Sequence, residues 1–372
     1  LTSLRFVAAA MIFTFHLREF EPSPWLYQIA PGMFHGVSFF FVLSGFLLTH
    51  AYGGEGVSWR RFYLARFARI APLHLFCLVL LLLALPLPVA RGEPLGPVAS
   101  LVSFVLKTAM LDSFAPVRSV LSSWNSVSWS ISVEMAFYAC FPLLLFAMTR
   151  RPLTTLAATA AVSLGVLGAG VAAGLPVFVV DRDAITLVNM GTFFPLARVF
   201  EFALGMATCL AWRRWALPAR LPVAAWTAVE AAALVGAAVW LLFVIPPLVR
   251  GSTGAVFVWL HASGSCGVFA VLLAALAKGE GRLGRALAWR PFVALGEASF
   301  AFYLVHVMVM RTLRFDFGHG PGTLAALALS LGLAFLLHEA VEKPMRRRVL
   351  GLAAPARPAP GDRTKFNHPA EA

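Results

Sequence analysis

The 372-residue chain is short of charge: Asp, Glu, Lys and Arg make up 13% of it, about half the ~25% of an ordinary soluble domain. So few ionic groups cannot hydrate a globular surface, which excludes a water-soluble enzyme. Acid is scarcer than base, with 17 Asp and Glu against 30 Lys and Arg. In a membrane chain such an excess reports which loops face the cytoplasm, so no nucleic-acid partner is expected. Cysteine is limited to Cys77, Cys140, Cys209 and Cys266, all in apolar stretches without paired spacing. Neither a disulfide framework nor a thiolate metal site fits that pattern, and packing is the expected role; no metal is expected. The chain also lacks HExxH, a Walker loop, a dinucleotide-binding glycine fingerprint and a GxSxG elbow, which removes zincins, ATPases, oxidoreductases and hydrolases of those types.

What the chain has in quantity is apolar surface: 60% of residues are hydrophobic and the mean hydropathy is +0.81. A helix needs about 20 apolar residues to cross a bilayer, so this length supplies around ten crossings and little else. Apolar segments read at 4–18, 33–52, 70–90, 98–111, 128–148, 153–180, 189–211, 222–248, 253–277, 292–312 and 321–340. Basic clusters between them, such as Arg150 with Arg151 and Arg346 to Arg348, mark cytoplasmic loops. Were every segment to cross, the clusters flanking 98–111 would lie on opposite sides. That segment is short, is bounded by Pro97 and Asp112 and carries Lys107, so it reads as re-entrant or interfacial. The expectation is an all-α polytopic membrane protein of about ten transmembrane helices plus one short re-entrant or interfacial segment, with both termini cytoplasmic. No cleavable signal peptide is evident, and the first segment is kept as a span. Residues 1–348 form the membrane domain, and 349–372, rich in Pro and Ala, read as a disordered cytoplasmic tail. The preference for Arg over Lys and the abundance of Ala suit a GC-rich bacterial genome.

Charges inside a bilayer cost several kcal/mol, so each ionisable residue in a span asks for a reason. Arg5 and His16 are eleven residues apart on the first segment. Eleven steps of 100° leave about 20° over three turns, so both side chains share a face while standing roughly 16 Å apart along the axis. They suit two ends of one elongated ligand, an anionic end at Arg5 and a reacting group at His16. Spacing alone leaves the plainer reading open, with Arg5 snorkelling to headgroups and His16 packing.

WRRFYLARFARIAPLH, Trp59 to His74, reads as a cytoplasmic stretch joining two spans. Its Arg60, Arg61, Arg66 and Arg69, interleaved with aromatics, fit either anionic-lipid contact or a nucleotide carrying several phosphates. In WSISVEMAFY, steps of four put Ser130, Glu134 and Tyr138 on one helix face. Glu134 either orients a histidine, acts as acid or base, or pairs structurally with an arginine. Arg198 and Glu201, three apart, neutralise each other in the simplest reading and are otherwise possible site-lining residues. In LGEASFAFYLVH, Ser299, Tyr303 and His306 share a face. In this topology His16, Glu134 and His306 fall in the outer half of the membrane and the arginine stretch lies inside, levels that a thioester donor would bridge.

Taken together, these stretches resemble the acyltransferase-3 family of integral membrane O-acyltransferases, from Leu1 to about Arg348. LRFVAAAMIFTFH is similar to its first-span Arg and His motif, GVSFFFVLSGF (Gly36 to Phe46) to its second-span signature, RRFYLARFARIAPLH to its arginine loop, WSISVEMAFY to its Trp-Ser-x-x-x-Glu helix, LGEASFAFYLVH to its late span ending in His, and EKPMR (Glu342 to Arg346) to its closing motif. Ala71, His74 and Phe300 depart from positions often occupied by Tyr or Tyr-like residues. The resemblance is to the stand-alone form, with no appended esterase-like domain. It implies transfer of an acyl group, usually acetyl from acetyl-CoA, to a hydroxyl of a glycan, a lipid-linked sugar or a glycosylated natural product, in the bacterial cytoplasmic membrane. It also implies His16 as general base supported by Glu134, with Arg5 steering the donor and Arg60, Arg61, Arg66 and Arg69 holding CoA phosphates. Ser130, Tyr138, Arg198, Glu201, Ser299, Tyr303 and His306 are possible site-lining positions. A sugar-lipid transporter or flippase is the alternative; the unrelated membrane-bound O-acyltransferase class lacks the first-span Arg and His arrangement.

Overall fold

In a bilayer no water is available to backbone N–H and C=O groups, so a chain this apolar satisfies them inside helices. The computed structural model describes residues 1–20, 23–54, 57–84, 96–214, 221–313 and 321–352. Among these, nine helical segments are long and apolar enough to cross a membrane, and Thr2–Leu17 and Val98–Thr108 are shorter apolar helices. Nine such helices with two shorter apolar ones match the expected all-α polytopic membrane protein of about ten transmembrane helices. No strand occurs among the described residues; an isolated bridge ties Val117 to Ile185.

In chain order the main helices are α1 (Thr2–Leu17), α2 (Pro24–Phe34), α3 (Gly36–Tyr52), α4 (Trp59–Ala84), α5 (Pro97–Thr108), α6 (Trp129–Arg150), α7 (Pro152–Ala172), α8 (Leu187–Phe193), α9 (Pro195–Arg214), α10 (Val223–Val239), α11 (Gly254–Ser263), α12 (Cys266–Leu276), α13 (Arg290–Leu313), α14 (Pro321–Leu337) and α15 (Lys343–Leu352). Proline opens α2, α5 and α7, where its missing N–H costs nothing. A five-residue π-helical segment, His338–Glu342, joins α14 to α15.

Two close crossings set the frame. Where α3 meets α9, a Cβ on Gly45 would lie 2.0 Å from the Phe202 carbonyl oxygen and one on Gly205 would lie 1.9 Å from that of Val42, so neither position admits a side chain. Where α1 meets α13, a Cβ on Gly296 would lie 2.2 Å from the Thr2 carbonyl oxygen. Phe302 of α13 then fills the seam between Phe6 and Phe13.

Three expectations change, and a fourth segment gains detail. The basic stretch from Trp59 is the first part of α4, not a loop, because its Arg, Ala and Leu residues favour helix and Pro72 is tolerated inside a membrane helix. The second span starts earlier, with α2 and α3 running through His35. Segment 98–111 keeps its place as the short segment, a helix and a turn whose Lys107 is fully buried: its Nζ donates to Asp112 Oδ2 at 2.7 Å and to Ser128 Oγ at 3.2 Å, fastening the loop that leads into α6. Helix α15 extends to Leu352, four residues into the expected tail; residues 353–372 lie outside the described residues. Cys77, Cys209 and Cys266 are buried as expected, whereas Cys140 is exposed.

Candidate functional site

The face shared by Arg5 and His16 is real, and its two ends open into different cavities. Among the described residues none lines both. Arg5 belongs to a narrow cavity of about 70 Å³ and His16 to a wider one of about 550 Å³.

The arginine cavity is built by four helices around α1. Helix α4 contributes Arg66 and Arg69, one turn apart; α6 contributes Ser130, Glu134 and Tyr138; α13 contributes Ser299, Phe300 and Tyr303; and α3 contributes Ser44. Glu134 Oε1 accepts hydrogen bonds from Tyr138 and, at 3.2 Å, from Ser44 Oγ. Arg69 donates to Glu342, whose other oxygen accepts from His338 Nδ1 at 2.8 Å across the π-helical segment. Arg66 lies 5.7 Å from the Tyr52 ring and 5.9 Å from the Tyr138 ring, and its buried Nε has no hydrogen-bond partner among the described residues. Three guanidiniums and one carboxylate therefore line one volume, an arrangement that favours an anion with several oxygens.

The histidine cavity has a different lining. Phe15, Phe34, Trp129, Phe178, Phe193 and His261 give it aromatic walls, and Arg18, Glu19, Arg118, Asp181, Asn189 and Arg311 give it polar edges. His261 is stacked between Phe34, at 4.4 Å, and Phe257, at 5.8 Å. Arg18 lies 3.9 Å over the Phe15 ring, and Arg311 donates to Ser126 Oγ at 3.3 Å. Flat aromatic faces beside hydrogen-bonding edges suit a ring-shaped polar molecule. His306, fully buried on α13, places Nε2 3.2 Å from His16 Nδ1.

One turn of α13 separates His306 from Tyr303, which lines the arginine cavity. The Tyr303 hydroxyl is 2.8 Å from Ser130 Oγ and 3.0 Å from the Val127 carbonyl oxygen. Beside Ser130, Trp129 lines the histidine cavity. The two cavities thus approach each other across the Tyr303–Ser130 contact.

Set against the sequence, Arg5, Arg66, Arg69, Ser130, Glu134, Tyr138, Ser299 and Tyr303 converge on the arginine cavity, and His306 joins His16. Glu134 does not share a level with His16: it sits among the arginines. Arg60 and Arg61 are exposed and line neither cavity. They precede Arg69 by nine and eight residues on one helix, about 12–14 Å along its axis, and Arg60 is rotated to the opposite face. Arg198 and Glu201 line neither cavity either. They are a buried ion pair, N to O 2.9 Å, closed by Ser38, the Thr192 carbonyl and the Ala262 carbonyl. Sequence reasoning missed Arg18, His261, Arg311, His338 and Glu342 as individual positions. The available signal was an ionisable group in or beside an apolar segment, which His261 and Arg311 both satisfy.

Comparison with known proteins agrees with this architecture. The acyltransferase-3 family model, described as an acyltransferase domain, matches residues 1–339. The chain is 31% identical to "Acyltransferase MdmB" of Streptomyces mycarofaciens over 98% of this chain and 95% of that protein. It is 28% identical to "Putative peptidoglycan O-acetyltransferase YrhL" of Bacillus subtilis (strain 168), covering 93% of this chain and 54% of that protein, about half its length. It is 33% identical to "Protein 2 in picA locus" of Rhizobium radiobacter over 38% of this chain and 78% of that protein. No solved structure matches. With a family model spanning nearly all of its membrane core, and a relative matched almost end to end, the chain belongs to the acyltransferase-3 family of integral membrane acyltransferases.

Proposed function

We propose that the protein moves an acyl group, acetyl from acetyl-CoA, onto a hydroxyl of a glycan, a lipid-linked sugar or a glycosylated natural product, with His16 as general base. The observation that carries this reading is the placement of Arg5 and His16 at opposite ends of α1, each in its own cavity. Arg5, Arg66 and Arg69 hold anionic groups of the donor from the arginine side, which the basic clusters assign to the cytoplasm. The negative charge of Glu134 offsets part of the mutual repulsion of the guanidiniums that line the same cavity. The acyl-bearing arm extends past Tyr303 and Ser130, whose hydrogen bond opens to admit it. The peptidoglycan O-acetylation in the Bacillus relative's name supports a sugar hydroxyl as acceptor, and the aromatic walls of the histidine cavity suit a sugar or macrolide ring.

In the transfer step the acceptor oxygen attacks the thioester carbonyl carbon while His16 takes the hydroxyl proton. Collapse of the tetrahedral intermediate breaks the C–S bond. The proton passes from His16 to the departing thiolate, giving the ester and CoA thiol. Purified protein given acetyl-CoA and a panel of polyprenyl-linked sugars and glycosylated macrolides is expected to release CoA thiol and form an acetyl ester. Substrate flux across proteoliposomes with no CoA release would establish the transporter reading instead.

A further inference from the structure

The hydrogen bonds around the two histidines determine which nitrogen does the chemistry. His306 Nδ1 lies 2.8 Å from the Tyr303 carbonyl oxygen and 3.3 Å from that of Phe302. A carbonyl oxygen only accepts, so this nitrogen carries the proton and His306 Nε2 keeps a lone pair. That lone pair faces His16 Nδ1 at 3.2 Å, and the same His16 nitrogen is 3.0 Å from the Ile12 carbonyl oxygen. With acceptors on both sides, His16 Nδ1 must be the protonated one. His16 Nε2 is then left unprotonated, on a ring that lines the wider cavity.

We propose that His306 is a positioning residue: its Nε2 holds the proton on His16 Nδ1, fixing the tautomer whose basic Nε2 faces the acceptor. This rests on the reading of His16 as the base. When His16 Nε2 takes the acceptor proton, the ring becomes imidazolium, and its Nδ1–H bond to His306 becomes charge-assisted and stronger. The backbone carbonyl of Tyr303 anchors the far end of the relay. An aspartate in the place of His306 would stabilise the same imidazolium, but it would put a permanent charge at a fully buried site inside the membrane. Among the described residues no carboxylate is within ion-pairing distance of either ring; Glu134, the buried carboxylate of α6, faces the arginine cavity, while Glu19 and Asp181 are the carboxylates and Arg18, Arg118 and Arg311 the cations lining the cavity beside His16. A neutral imidazole is therefore the group that orients the base.

The test combines kinetics with nitrogen NMR of histidine-labelled protein, His16 being assigned by its loss in His16→Ala. Wild type is expected to show His16 with a protonated Nδ1 and a bare Nε2. His306→Phe keeps a ring in the site without an acceptor. It should lower kcat by on the order of 10²-fold, the scale of a lost positioned base, with acetyl-CoA affinity unchanged, and should give His16 mixed tautomers. His306→Gln, whose side-chain carbonyl accepts from His16, should restore most of the rate. A wild-type spectrum with the proton on His16 Nε2, or full activity in His306→Phe, would overturn the proposal. If His306→Phe does not fold, the wild-type spectrum and His306→Gln still decide it. Full activity in His16→Ala would instead remove the reading of His16 as base, a different outcome from an inactive His16→Ala beside a fully active His306→Phe.

Discussion

The two cavities are lined by opposite means. The arginine cavity is narrow and is made by side chains from regular helices at turn spacing, with two of its charges answered by partners: Glu134 by Ser44 and Tyr138, Arg69 by Glu342. The histidine cavity is several times larger and draws much of its wall from segments between helices, including Ser122, Ser126, Phe178 and Asp181. Multiple negative charges can be gripped by few residue types, and those repeat at helical intervals that a sequence displays. The ring-shaped acceptor proposed for the wider cavity would be enclosed by aromatic and small polar residues brought in from scattered places, with no spacing rule to announce them. The charged lining is therefore concentrated in motifs and the aromatic lining is spread more widely along the chain.

This division can be broken or sharpened experimentally. The largest effect is expected from His16→Ala, which should lower kcat by about 10²–10⁴-fold and leave acetyl-CoA affinity intact, measured as CoA release and donor binding. If donor affinity fell as well, the two cavities would not be functionally separate. Next, Arg66→Glu should weaken acetyl-CoA binding more than tenfold, in line with about 1.5–3 kcal/mol for hydrogen bonds to charged groups, without changing the acceptor KM. Calorimetric titration with CoA reads this directly, and unchanged affinity would remove Arg66 from the donor site. Phe178→Ala, in an exposed part of the opposite cavity, should raise acceptor KM roughly fivefold, about 1 kcal/mol of lost ring contact, with donor binding untouched. The smallest effect belongs to Arg60→Ala and Arg61→Ala. Both side chains are exposed and off the cavity, so donor affinity should stay within about twofold; a large loss would extend the donor site along α4.

A stability contrast complements these. Arg198→Met leaves Glu201 as a buried unpaired carboxylate and should destabilise the protein by about 3–5 kcal/mol, while Arg198→Met with Glu201→Leu should recover most of the loss. Thermal unfolding in detergent checks both. Such recovery would establish a structural role for the pair, the simplest reading of its three-residue spacing.

Much of the arginine cavity was legible because helical periodicity is enough to align Ser130 with Glu134 and Tyr138, and Arg66 with Arg69. The depth of Glu134 was not. Each residue advances a helix by about 1.5 Å, so an uncertainty of a few residues at a span boundary moves a side chain by a whole turn between neighbours. That is how Glu134 reads as a companion of His16 and lies instead with Arg5. The role of Glu342 was hidden for another reason: it reaches Arg69 across 273 positions of sequence, through a π-helical segment that nothing in the local pattern marks.

By itself the sequence determined that the chain lives in a bilayer, that its backbone is helical, and which faces of single helices carry polar groups. These follow from transfer free energy and from the 3.6-residue turn, both of which act locally. The tertiary structure decided which faces meet: that α1 lies against α13 closely enough for His306 to touch His16, and that its two polar ends open into separate cavities. Those outcomes depend on the relative depth and rotation of helices, set by close contacts such as Gly296 against the Thr2 backbone, which no single segment encodes alone.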